Sequence, residues 1–131
     1  MGNVDAGCAG EQTLTKIIAL IYRKAGVSRE QFLSYWMNTH GPLMLQMAPG
    51  LLHYTQNVPM TTADNPEEPD GVAELWFEDM DALEEYLTWR NTTDAAELRT
   101  DEDLFQDSRL TRRYVVEEHV FKRPAPTNLP G

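Results

Sequence analysis

Several things are scarce in this chain. Among 131 residues there is one cysteine, Cys8, so no internal disulfide and no multi-cysteine metal site can form. There are three histidines, His40, His53 and His119, with no pair at ligand spacing. A metal would need two of them to converge with carboxylates, and none is expected. No apolar run approaches the roughly 18 residues of a membrane span. The first residues carry neither a basic stretch nor a long apolar one, so no signal peptide is read and a cytoplasmic location is expected. Gly-x-Gly-x-x-Gly, the phosphate-binding Gly-x-x-x-x-Gly-Lys and Gly-x-Ser-x-Gly are all missing, which leaves no dinucleotide, nucleoside triphosphate or serine-hydrolase signature. Internal repeats and low-complexity segments are absent too.

Positive charge is also short. Eleven Lys and Arg face 21 Asp and Glu, a net charge of −10. Such a chain is a poor non-specific partner for nucleic acid or an anionic membrane, both being polyanions. The deficit is local. Asp64 to Asp107 holds 16 acidic residues and two basic ones, Arg90 and Arg99, for a net −14, while the remainder sums to +4. The run Asp94–Asp107 reads as a solvated helix face. Of the 16 carboxylates, only that of Glu74 is expected to do more than solvate the protein.

What is present is one domain's worth of chain with 41% apolar residues, enough for a single core. Leu14–Tyr22 is β-branched and apolar, a strand buried on both faces. Ser28 with Gln31 three residues on forms a capping box. Phe32, Leu33, Trp36 and His40 then follow at helical spacing until Gly41-Pro42 breaks the helix, with a short continuation over Leu43–Met47. Leu51–Met60 is a second strand, Thr61–Gly71 an exposed loop and Val72–Phe77 a third strand. Asp79 or Asp81 caps a helix running to about Trp89, with Met80, Leu83, Tyr86 and Leu87 inward. Asp94–Asp107 gives one or two helical turns and Arg113–Lys122 the last strand. The expected domain spans 13–123, with 1–12 and 124–131 flexible.

This order, β-α-β-β-α-β, is the ferredoxin-like α+β pattern, an antiparallel sheet with helices on one face. The other face needs cover, and a second copy packed sheet to sheet would give a homodimeric α+β barrel.

Within that frame His40 is the lead chemical residue, a proton donor or acceptor near neutral pH; equally, it can be a buried histidine holding the Gly41-Pro42 turn. Trp36, Tyr22, Tyr54 and Trp76 are either pocket wall or core, since a one-residue register error flips a strand residue's face. Glu74 and Glu118 sit within apolar strands. An inward carboxylate there would have a raised pKa and act as an acid; the alternative is an outward position or a pair with a base such as Arg113.

Three stretches together resemble the EthD family of the dimeric α+β barrel superfamily. They are Ala25–Leu43 with its Tyr-Trp and His-Gly-Pro, Gly71–Phe77, and Asp101–Asp107 followed by Glu117 and Glu118. The likeness covers about residues 14–122. It implies a small tailoring enzyme without cofactor, acting on a hydrophobic, aromatic or polyketide-like metabolite. His40 would be catalytic, and Glu74 or a tyrosine hydroxyl would hold the substrate oxygen. Tyr22, Trp36, Tyr54, Trp76 and Glu118 would bind substrate. Decarboxylation and cyclisation are the leading reactions. Alternatives are a cofactor-free monooxygenase on a phenol- or anthrone-like substrate, and a non-catalytic accessory or ligand-binding protein. A haem-handling role with His40 or His53 as axial ligand is a further reading.

Overall fold

The computed structural model describes residues 14–60 and 67–124. Cys8, the expected flexibility of 1–12 and of the tail from 125, and most of the Thr61–Gly71 loop lie outside the described residues.

Four strands form one antiparallel sheet. They are β1 (Thr15–Ile21), β2 (His53–Asn57), β3 (Gly71–Phe77) and β4 (Arg112–Glu117), in the spatial order β2-β3-β1-β4. The helices are α1 (Arg29–Tyr35), a π turn (Trp36–His40), α2 (Gly41–Met47), α3 (Met80–Trp89), and a 3-10 turn (Thr93–Ala95) leading into α4 (Ala96–Phe105). The fold is the ferredoxin-like α+β fold expected.

Alternation decides which side of the sheet is covered, because successive strand residues point to opposite faces. Ile17, Ala19 and Ile21 of β1 and Ala73, Leu75 and Phe77 of β3 are buried under the helices. Phe32, Trp36, Met44, Leu83, Tyr86, Leu98 and Phe105 supply the helical side of that core. Register places Tyr54 opposite Leu75, and Arg113 opposite Ala19, on the same inner face. Lys16, Ile18 and Leu20, with Val72, Glu74 and Trp76, look outward. β1 is therefore buried on one face and half-buried on the other, which corrects the reading of a strand buried on both.

Local signals fix the helix starts. The Ser28 hydroxyl accepts from the Gln31 amide at 3.1 Å, and the Gln31 side chain accepts from the Ser28 amide at 2.9 Å. Asp79, not Asp81, caps α3 by accepting from the Ala82 amide at 2.9 Å. Three boundaries and one inward assignment differ from expectation. Gly41-Pro42 does not break the helix: His40 and Gly41 keep right-handed helical backbone, and the π turn passes directly into α2 with Pro42 near its start. The second strand is only His53–Asn57, the last ends at Glu117, and Met80 is largely exposed.

One close approach joins the π turn to the sheet. A Cβ built on Gly71 falls 2.6 Å from the Trp36 ring, so the indole lies against bare backbone. Gly71→Ala should cost about 1–3 kcal/mol of stability through overpacking, measured by urea unfolding. A midpoint unchanged from the wild type would show that this contact does not constrain the fold.

Candidate functional site

The π turn carries His40 into the protein interior, where it is 4% exposed. Its Nδ1 lies 2.8 Å from Oδ2 of Asp101, and the other oxygen, Oδ1, accepts from the Tyr35 hydroxyl at 2.6 Å. A carboxylate accepts and does not donate, so Nδ1 carries the hydrogen and Nε2 is the nitrogen left for chemistry. The Phe105 ring, one turn beyond Asp101 on α4, packs against both partners, 5.2 Å from Tyr35 and 5.1 Å from His40.

His40 faces a void between sheet and helices whose polar lining includes Tyr54, Tyr86, Arg90, Glu102 and Arg113. Arg90 grips Glu102 with both amino groups, at 2.7 and 3.0 Å. Burial would raise the Glu102 pKa. The hydrogen bonds from Arg90 and the charges of Arg90, Arg113 and His40 overcome this and hold it below the usual carboxylate range. Arg113 reaches the same carboxylate only at 3.8 Å, and its side chain is a third exposed at the β4 edge. Tyr54 is pushed up to about 12 by burial, against the lowering effect of its Gln56 hydrogen bond. Its oxygen accepts from Gln56 Nε2 at 2.9 Å, so its own hydrogen is free to donate.

The void measures about 20 Å³, room for one water. It admits no porphyrin beside His40. A larger space, a groove of about 660 Å³, runs over the outer surface between α2 and α4, with Tyr35 and Asp101 in its wall. Asp101 thus stands between the outer groove and the histidine that lines the small void.

The other residues singled out by sequence divide between the two faces of the sheet. Trp36 and Tyr54 are on the inner side with His40. Trp36 is fully buried, packed on Phe32 and Gly71 as core. Glu74, Trp76 and Glu118 gather on the outer face around Lys16. Its Nζ lies 2.9 Å from Glu74 and 3.6 Å from Glu118, over the Trp76 ring, while the Trp76 indole donates to Glu118 at 3.2 Å. His53 stands edge-on to Trp76 on that face. The Lys16 hydrogen bond outweighs burial and holds Glu74 below the usual carboxylate range, the opposite of the raised value expected of an inward acid. Tyr22, at the end of β1, donates to the Glu67 carbonyl.

Sequence reasoning missed Asp101 and Glu102. Both are buried, which corrects the reading of Asp94–Asp107 as a solvated face and of Glu74 as the only working carboxylate of Asp64–Asp107. A signal existed. Leu98, Asp101, Glu102 and Phe105 fall at i, i+3, i+4 and i+7, the inward stripe of a helix, and all four are buried. Among the described residues no three His, Cys, Asp or Glu gather as a metal would require, and no helix is long and apolar enough to cross a membrane.

Fold and site together define a ferredoxin-like α+β protein with a histidine–carboxylate pair buried under its helices. The EthD domain profile matches residues 24–109, and the chain belongs to the EthD family. No curated protein matches it in sequence. Among solved structures it is similar to an EthD family protein from Bacillus halodurans, with 21% identity over 81% of this chain and 99% of that one, at a TM-score of 0.60. HapK from Hahella chejuensis shares 14% identity over 86% and 99%, at 0.59. A dimeric protein of unknown function with a ferredoxin-like fold from Bacteroides fragilis shares 14% over 82% and 96%, at 0.52.

Because Glu102 is more acidic folded than unfolded, it adds stability above its unfolded pKa near 4.3. That contribution fades as pH falls through the lower folded value. Glu102→Gln leaves Arg90 buried without its counterion and should cost about 3–5 kcal/mol at pH 7, with less loss of stability on acidification than the wild type. Urea unfolding from pH 7 to pH 3 measures both; equal acid sensitivity in the two proteins would contradict the assignment.

Proposed function

We propose that this protein is a small cofactor-independent enzyme that carries out acid–base chemistry on an aromatic or polyketide-like metabolite, with His40 as the proton-transfer group. The observation that carries this reading is the buried His40–Asp101 pair beside a cavity that also holds a donating tyrosine and two arginines. In a decarboxylation the bond to the carboxylate breaks and its electron pair moves onto the neighbouring carbonyl. His40 Nε2 has first taken the proton of the carboxylic acid; carbon dioxide leaves, and the imidazolium returns that same proton to carbon. Tyr54 and Arg113 hold the oxygen on which charge develops, the part first assigned to Glu74 or a tyrosine. Cyclisation uses the same enolate. On a phenol- or anthrone-like substrate the same base makes a carbanion open to attack by oxygen.

Substrate entry to His40 requires the 20 Å³ void to widen toward the β4 edge, where Arg113 and Val115 meet solvent. The outer sheet face takes a different part. Ile18, Leu20, Trp76, Tyr114 and Val116 leave an apolar surface there, with Lys16 neutralised at its centre by Glu74 and Glu118. We assign this face to a homodimer interface closing the barrel, so Glu74, Trp76 and Glu118 serve assembly rather than the substrate.

The small size of the void favours a second reading, a binding or accessory protein whose ligand lies in the outer groove. One experiment separates the two. The wild type, with no added metal, flavin or nicotinamide, should convert an aromatic β-keto or hydroxy acid. His40→Ala should lose about 10²–10⁴-fold in turnover while sedimenting as the same folded dimer. Full turnover in that variant would end His40's catalytic role. A retained ligand with no product from the wild type would favour the accessory reading.

A further inference from the structure

Tyr35 and His40 are five residues apart, yet both side chains meet on one carboxylate. In an α-helix, at about 100° per residue, such positions point roughly 140° away from each other. The π turn removes the discrepancy. It takes an extra residue into one turn, closed by the Gly41 amide on the Trp36 carbonyl, and so turns position 40 back toward position 35.

This rare turn is held from outside. Gln56 Nε2 donates to the same Trp36 carbonyl at 2.9 Å from the neighbouring sheet. Gly41 leaves room for this approach, since a Cβ there would stand 3.2 Å from that nitrogen, a tight contact. Phe105 then braces the Tyr35 and His40 rings together. Burial, followed by the hydrogen bond to Asp101 and its charge, pushes Tyr35 up to about 12, so its hydroxyl remains a donor at neutral pH.

We infer that Tyr35 is a positioning residue for His40, acting through Asp101 across the π turn. The hydroxyl occupies Oδ1, which orients the carboxylate so that Oδ2 faces Nδ1, and the imidazole is fixed in the tautomer that leaves Nε2 free. Tyr35 lines the outer groove and not the cavity, so it does not touch a substrate held at Nε2. The inference deepens the reading of His40 as the proton-transfer group, but the tautomer is measurable without any substrate.

Nitrogen-15 NMR of the histidine rings in the full chain tests it. Neutral His40 in the wild type should carry its hydrogen on Nδ1 alone, with that hydrogen protected from exchange. In Tyr35→Phe, with an unchanged amide spectrum, a second tautomer should appear. Exchange of the Nδ1 hydrogen should quicken about tenfold, the worth of one hydrogen bond to a charged group, and kcat should fall similarly at constant KM. Asp101→Asn should abolish the Nδ1 preference and serves if the first variant does not fold. A wild type with its hydrogen on Nε2, or variants that keep the wild-type tautomer and exchange, would overturn the inference. A correct tautomer with full turnover in His40→Ala would instead remove the catalytic reading alone.

Discussion

The carboxylate of Asp101 is a charge placed where water hardly reaches, and the surrounding structure is arranged to satisfy it. An isolated buried carboxylate is costly, and one with hydrogen-bond donors on both oxygens is tolerable. The donors come from the end of α1 and from the π turn, while the carboxylate comes from α4, more than sixty residues later. Its sequence neighbour Glu102 repeats the arrangement with Arg90 of the α3–α4 connection and Arg113 of β4. Two adjacent acids thus tie α4 to four other parts of the chain. Phe105 and Leu98 fill the space between these polar contacts and the sheet.

This arrangement separates two tasks that a sheet of four strands must share. The inner face holds a histidine, a neutral tyrosine and arginines around a space with room for one water, where fixed dipoles and charges act strongly. The outer face holds an apolar surface with one internally neutralised cluster, a composition suited to burial against another sheet. Strand pleat alone decides which residue serves which task. Tyr54 and Thr55, neighbours in β2, face opposite sides.

The sequence was most legible where the physics is local. The capping box at Ser28, an acidic cap for α3, the alternation of β3 and the element order all depend on neighbours in the chain. It was correct that Val72, Glu74 and Trp76 share a face, but only register and packing tell which face that is. The π turn was not legible, because the 3.6-residue period that places His40 with Trp36 and Phe32 hides the extra residue. Asp101 and Glu102 were hidden by composition: within a segment of net −14, two inward acids look like the rest until they are set on the stripe of Leu98 and Phe105.

The central claim is that Tyr35 and His40 depend on each other through the Asp101 carboxylate. A double-mutant cycle in urea stability, using Tyr35→Phe, Asp101→Asn and the double variant, measures the Tyr35–Asp101 link on which that dependence rests. The account predicts a double variant scarcely less stable than Asp101→Asn alone, with a coupling energy of about 0.5–3 kcal/mol. Simple addition of the two single losses would contradict it.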